Sequence, residues 1–251
     1  MLSIERNEVI LKILKRKKTV SSQYLCKELY CSLATLRRSL IELEKNGLVK
    51  RFHGGVSIVP DTNIEYPHIF REVENQNEKS YACNLALDFI ADGYAIFLDS
   101  SSTVSHICPS LKKFKDITVV TNGLKTALDL REYDSITTFI AGGQLKENST
   151  SIVGELTGQF IKNFKANLSI ISCRGIDEQG IYEANHMQAL VKQHMIKNSQ
   201  STILLCDSSK FNRSHFYKLD SFTNIDAVIT DTAPSKELMN AILSSECEVL
   251  F

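Results

Sequence analysis

At 251 residues, with 43% hydrophobic and 23% charged side chains, the chain can bury a substantial core, which excludes an intrinsically disordered polypeptide. Its formal net charge of zero hides an uneven distribution: Met1 to Val56 carries twelve Lys or Arg against five Asp or Glu, and the remainder seventeen against twenty-four. No apolar run approaches the roughly twenty residues that cross a membrane, and no apolar export segment follows the first charges, so a cytoplasmic protein without membrane contact is expected.

In chain order, Ile4, Val9, Ile10, Ile13 and Leu14 predict a first amphipathic helix, and Val20 to Leu29 a shorter second one with Ser21 or Ser22 as its cap. Ser32 to Gly55 is the most informative stretch. Ser32 can cap a third helix of roughly four turns, Cys31 and Leu36 are spaced as a hydrophobic staple around it, and Gly47 supplies the stop. Leu33, Leu36, Leu40 and Leu43 form one buried stripe, leaving Thr35, Arg37, Arg38 and Ser39 outward or on the flanks. After Gly47, Leu48 and Val49 begin a strand that carries Lys50 and Arg51, and Gly54 and Gly55 allow reversal into Val56 and Ile58. Three helices and a basic hairpin are the pattern of a winged helix-turn-helix. In that fold Ser32, Thr35, Arg37 and Arg38 face the major groove, and Lys50, Arg51 and His53 hold flanking phosphates. A basic head on an acidic body suits double-stranded DNA better than a solvated helix face does.

Periodicity fades between Ser57 and Gln76, where Pro60, Asp61, Asn63 and Pro67 accumulate, so residues 57–76 are read as a linker between domains at 1–56 and 77–251. A helix with Ala82, Leu85, Ala86, Phe89 and Ile90 on its apolar positions opens the second domain and ends at Asp92 and Gly93. Apolar runs at Ala95 to Leu98, Ile117 to Val120, Thr137 to Ala141, Leu168 to Ile171, Thr202 to Leu205 and Ala227 to Ile229 then alternate with helical segments. That alternation predicts an α/β fold with a doubly wound, mostly parallel sheet. Ligands bind such sheets beyond the carboxyl ends of the strands, and the residues there are polar. They are Asp99, Ser100, Ser101, Ser102 and Thr103; Thr121 and Asn122; Gly142 and Gly143; Arg174 to Asp177; and Asp207 to Lys210. Hydroxyl-rich turns that lead into helices, with Lys210 as a cation, point to a site for an anion. Seven scattered cysteines (Cys26, Cys31, Cys83, Cys108, Cys173, Cys206, Cys247) and six unclustered histidines give no reason to expect disulfides, a metal or another cofactor.

Ile4-Glu5-Arg6, Thr35-Leu36-Arg37-Arg38 and the stretch from Leu43-Glu44 to His53-Gly54-Gly55 resemble the DNA-binding signature of the DeoR family of bacterial transcriptional regulators. The second domain is similar to that family's sugar-phosphate sensor, itself related in fold to ribose-5-phosphate isomerase. The matching positions are Glu78-Lys79, Asp99-Ser100, Thr103, Thr121-Asn122, Gly142-Gly143, Gly154, Gly175, Gly180, Lys192, Asp207 to Phe211 and Thr230-Asp231. The resemblance implies a homodimeric or homotetrameric repressor of carbohydrate-metabolism genes, released by a phosphorylated sugar, with Lys192 among the effector-binding residues. Three positions depart from the family pattern: Ser39 stands for Asp, Ser101 for Gly and Asn167 for Asp. A serine at 101 would hinder close backbone approach and positive φ, so a drifted or non-sugar ligand site is the alternative. An isomerase is the other. It needs a general base, and Ala184 to Cys206 contains no Asp or Glu, which favours sensing over turnover.

Overall fold

The computed structural model describes residues 2–59, 71–72, 74–147 and 149–251, which fall into two compact units, Met1–Arg71 and Glu72–Phe251. Most of the linker expected over 57–76 lies outside the described residues. At its edges, Ser57 and Ile58 complete a strand and Gln76 opens a helix.

The first unit contains helices α1 (Ser3–Lys17), α2 (Ser22–Glu28) and α3 (Leu33–Lys45) and strands β1 (Thr19–Ser21), β2 (Val49–Phe52) and β3 (Gly55–Ile58). Val20 does not begin a helix as expected. It lies in β1, paired with Val56 of β3, and the antiparallel sheet order is β1-β3-β2. The β-branched pair Val20 and Val56 buries well on a pleated surface, which overrides the helical spacing. Helix α2 therefore starts later, with Ser21 Oγ accepting from Tyr24 N at 3.2 Å. Gly47 ends α3 at φ +72, where Gly47 N donates to Glu44 O at 2.9 Å and Leu48 N to Leu43 O at 3.0 Å, the paired bonds of a left-handed helix stop. Ile10, Leu14, Leu25, Leu36, Leu43 and Val56 form the small core, each worth roughly 1.5–3 kcal/mol when removed from water.

The second unit is built on seven parallel strands in the order β15-β14-β12-β9-β4-β5-β6. They are β4 (Ala95–Leu98), β5 (Ile117–Thr121), β6 (Ile136–Ile140), β9 (Ala166–Ser172), β12 (Ser199–Leu205), β14 (Ala227–Ile229) and β15 (Glu248–Leu250). Phe97, Val120, Ile171, Leu204 and Val228 face one apolar layer, and their strand neighbours Ile96, Leu98, Val119, Ile170, Ile203 and Ile229 face the other. Both faces of the central strands are covered, as parallel strands with continuous apolar runs require, while the edge strand β6 is largely exposed. The covering helices are α4 (Gln76–Ala86), α5 (Ser102–Ser105), α6 (Cys108–Leu111), α7 (Leu124–Leu130), α8 (Glu155–Lys162), α9 (His186–Lys197) and α10 (Lys236–Leu243). Small antiparallel ribbons flank the sheet: β7 (Gln144–Leu145) pairs with β8 (Ile152–Val153), and β10 (Gly175–Asp177), β11 (Gly180–Glu183) and β13 (Tyr217–Asp220) form a third sheet. From β4 the chain winds outward through β5 to β6, then returns to place β9 on the other side of β4. The switch point is therefore the crevice between the ends of β4 and β9.

Candidate functional site

In the first unit, Ser32 Oγ accepts from Thr35 N at 3.2 Å and lies 2.9 Å from Thr35 Oγ1, so Ser32 and Thr35 fix the first turn of α3. Arg37 and Arg38 are exposed one turn further on. Ser39 is not on that face: it is buried, and its Oγ accepts from Arg6 Nε of α1 at 2.9 Å. Its departure from the family pattern thus concerns the joint between α1 and α3. Lys50, Arg51 and His53 are exposed on the wing. Arg51 is also committed within the fold: its Nε lies 2.6 Å from Glu44 Oε2, and its backbone N donates to Glu44 Oε1 at 2.9 Å. Those backbone and side-chain bonds hold the Glu44 carboxyl below the usual carboxylate range and pin the wing to α3. Phe52, half exposed, leaves Gly55 no room for a side chain, since a Cβ there would come within 2.6 Å of its ring. A cleft of about 530 Å³ runs between α3 and the wing, lined by Gln23, Arg37, Arg51, Phe52 and His53 among others.

In the second unit the polar residues converge on Ser172, the last residue of β9. Its amide donates to Asp99 Oδ2 at 2.9 Å, its carbonyl accepts from Lys192 Nζ at 2.7 Å and its hydroxyl accepts from Lys210 Nζ at 2.9 Å. Lys192 lies 3.0 Å from Asp99 Oδ2 and pairs closely with Glu183. Burial alone would depress the Lys192 ammonium, yet the two carboxylates beside it more than compensate and raise it. Lys210 Nζ also donates to Thr103 Oγ1 at 3.0 Å and stands 3.3 Å from Asp207 Oδ2. Burial opposes the Asp207 charge, but Lys210, with Ser209, Lys79 and Asn75, brings its carboxyl well below the usual range.

Asp99, Thr103, Lys192, Asp207 and Lys210, separated by up to 111 positions in a chain of 251, therefore share one hydrogen-bonded cluster at the switch point. Beside it Asn122 Nδ2 donates to Ser100 Oγ at 3.2 Å and to Ile152 O at 2.8 Å. Other expected residues serve the local backbone. Thr121 Oγ1 accepts from Gly123 N at 3.0 Å, Ser102 O accepts from Ser105 Oγ at 2.9 Å, and Gly142 O accepts from Thr157 Oγ1 at 3.0 Å. Gly143, at φ +150, packs so tightly that a Cβ would fall 2.2 Å from Thr157 Oγ1. Arg174 to Asp177 are not an open loop: Arg174 N donates to Tyr182 O at 2.9 Å and Gly175–Asp177 is β10.

Two departures from the family pattern have plain structural settings. Ser101 has extended backbone, φ −73 and ψ 149, and its Oγ caps α5 by accepting from Val104 N at 3.2 Å, so no positive φ is demanded there. Asn167 lies inside β9 near its start, at the opposite end of the strand from Ser172, where its Oδ1 accepts from Ala95 N at 2.9 Å. Sequence reasoning missed Ser172 and Glu183. Ser172 is the first polar residue after an apolar run and follows the same rule that marked the other loops. Glu183 carries no such signal, because β11 brings it in from a ribbon outside the parallel sheet. It lies one residue before the acid-free stretch from Ala184 to Cys206, and its carboxylate is occupied by Lys192.

A winged helix-turn-helix joined to a doubly wound α/β unit with a polar switch point has the architecture of a transcriptional regulator. The DeoR-like helix-turn-helix domain matches residues 6–62, and the DeoR C terminal sensor domain matches residues 74–232. The chain belongs to the DeoR family. It is 30% identical over 250 residues to the uncharacterized HTH-type transcriptional regulator YulB of Bacillus subtilis (strain 168), covering 99% of this chain and 96% of that protein. It is 29% identical over 243 residues to the glycerol-3-phosphate regulon repressor of Escherichia coli (strain K12), covering 96% of each. The HTH-type transcriptional repressor GlcR of Bacillus subtilis (strain 168) matches at 29% over 251 residues, covering 100% of this chain and 96% of the relative. The last two are repressors by name, not enzymes. Among the described residues no helix is long and apolar enough to cross a membrane, and no group of three or more His, Cys, Asp or Glu could hold a metal ion.

Proposed function

We propose that the protein is a cytoplasmic repressor of carbohydrate-metabolism genes that leaves its operator when a phosphorylated sugar binds the second unit. Residues 1–56 would form the DNA-binding domain and 77–251 the sensor, joined by the linker at 57–76. Thr35, Arg37 and Arg38 meet base edges or flanking phosphates, with Ser32 fixing the helix start, and Lys50, Arg51 and His53 grip the backbone from the wing. The phosphate of the effector sits against Lys210 and the amides and hydroxyls of the Asp99 to Thr103 turn, with Thr121, Asn122, Gly142 and Gly143 shaping the neighbouring wall. Lys192 orients Asp99 rather than meeting the ligand, since Asp99 and Glu183 already neutralise it. Two-fold operators call for paired heads, so the active species is a homodimer or homotetramer.

The observation that carries this reading is Lys210, whose ammonium is held at the switch point by two hydroxyls, Thr103 and Ser172, that an anion can replace as partners. The test is gel-shift binding of the full chain to DNA from upstream of its own gene, at fixed salt, with glycerol 3-phosphate, ribose 5-phosphate or glucose 6-phosphate added. Replacing Arg37 and Arg38 together by Ala is expected to weaken binding by about a hundredfold or more while leaving the fold intact. Lys210→Ala is expected to retain operator binding and to need at least about tenfold more phosphosugar for release. Unchanged operator affinity in the first variant, or unchanged release in the second, rejects the corresponding assignment.

A further inference from the structure

We propose that Asn75 is a positioning residue that latches the stretch at the start of the sensor, residues 74–80, onto the Asp207 to Lys210 loop, so that an anion held by Lys210 changes the backbone of that stretch. The proposal rests on the effector reading above and adds how occupancy leaves the site.

Asn75 stands at the N-cap of α4, where an Asn ordinarily has extended backbone and turns its side-chain oxygen onto the free amides of the first turn. Here it does neither. Its backbone is left-handed, φ 54 and ψ 41, and its side chain makes no cap bond. Instead Asn75 Nδ2 donates to Asp207 Oδ1 at 3.1 Å and to Ser209 Oγ at 3.0 Å, across more than 130 positions of sequence. The helix cap is diverted to a distant loop, on the left-handed backbone that Asn tolerates better than other non-glycine residues, and those two bonds select that arrangement over an ordinary cap.

The other loop of the cluster grips the same stretch. The turn after β4 continues into α5, whose C-cap residue is His106. His106 Nε2 lies 3.3 Å from Glu72 O, and its Nδ1 lies 3.4 Å from Ser80 Oγ. Lys79 Nζ folds back to donate to Glu74 O. Glu72 and residues 74–80 are therefore tied to the Asp207 to Lys210 loop by Asn75 and to the end of α5, the helix that follows the Asp99 to Thr103 turn, by His106.

Lys210 is the shared resource. Its ammonium serves Asp207, Thr103 and Ser172 at once, and an anion that draws it away leaves the Asp207 carboxylate, 1% exposed, with less positive charge around it. The Asp207 carboxylate then turns toward the other ammonium that acts on it, Lys79, and lets go of Asn75, which can take up extended backbone and cap α4, a large change in φ at the start of the sensor. Two discrete arrangements of one side chain supply the bistable element that a sensor needs.

The test uses full-length protein as wild type, Asn75→Ala, Asp207→Asn and the double variant, followed by hydrogen exchange at residues 74–80. Each single change is expected to speed exchange there about fivefold, and the double change to be no faster than either alone. Factors that multiply in the double variant overturn the latch. Operator binding is then measured with and without millimolar glycerol 3-phosphate, ribose 5-phosphate or glucose 6-phosphate. Wild type is expected to lose at least about tenfold in operator affinity, and Asn75→Ala, with its phosphosugar Kd within about threefold of wild type, to lose less than about twofold. An Asn75→Ala protein released like wild type overturns the proposal. Asn75→Gly keeps the left-handed freedom without the amide and must match Asn75→Ala; if it matches wild type, the proposal fails. If no phosphosugar moves wild type, the effector reading falls and the exchange cycle alone decides the latch.

Discussion

Ser39 shows how much a single neighbour can change the meaning of a residue. From its position beside Arg37 and Arg38 it reads as part of a basic surface, yet it is buried against Arg6, and its hydroxyl is a structural acceptor. Ser39→Ala is therefore expected to lower stability by about 1–2 kcal/mol in urea unfolding, because a hydrogen bond to a charged donor is lost, while leaving operator affinity within about twofold. A drop in operator affinity without a drop in stability would return Ser39 to the DNA face. Asp207 gives the matching test in pH. Its carboxyl titrates below its unfolded value near 4, so its stabilising effect is complete above that pH and is lost as pH falls toward the folded value. The stability difference between wild type and Asp207→Asn is expected to be largest at neutral pH and to shrink steadily below about pH 4. A pH-independent difference would mean that Lys210 does not hold the carboxylate ionised.

At the scale of elements, α3 was legible because its signals are local: a serine cap and a glycine stop, confirmed by a bond and a dihedral angle, and a leucine stripe that is buried at Leu36, Leu40 and Leu43 but not at Leu33, which stands in the first turn and is 59% exposed. β1 was not legible, because Val20 joins a strand only through its pairing with Val56, thirty-six positions away. The six main strands were readable from their apolar runs, which the central strands bury on both faces; β6, at the sheet edge, leaves Phe139 and Ile140 exposed. β15 and the ribbons β7–β8 and β10–β11–β13 were not; they are two to four residues long and depend on partners the sequence does not place beside them. The turn at Gly143 shows how tightly one such ribbon is set. Gly143→Ala would force a Cβ to 2.2 Å from Thr157 Oγ1 and 2.8 Å from Val153 O at a φ of +150. The expected cost is about 2–4 kcal/mol, read as a lower thermal midpoint; a change within about 0.5 kcal/mol would show that the turn can move aside.

For the whole molecule, the basic head and acidic body place the charge for DNA on one unit and keep it off the other. Release by an effector then needs a ligand with different affinity for the free and DNA-bound proteins, and the coupling is reciprocal. If a phosphosugar weakens operator binding about tenfold, saturating operator must weaken phosphosugar binding by the same factor, measured by calorimetry with and without DNA. Unequal factors would mean that the two ligands do not act on one equilibrium. Sequence alone determined the class of fold, the capped basic helix and the polar strand ends, because those depend on residue type at short spacing. Tertiary structure decided what those residues do to one another: that Ser39 and Asn167 serve the scaffold, that Ser101 is an ordinary cap, that Ser172 and Glu183 complete the cluster, and that Asn75 reaches Asp207. Ser39 meets Arg6 across 33 positions, Asn167 meets Ala95 across 72 and Asn75 meets Asp207 across 132, and even the nine positions from Glu183 to Lys192 are bridged only by a ribbon outside the parallel sheet, so the spacing of residue types carries no record of these meetings.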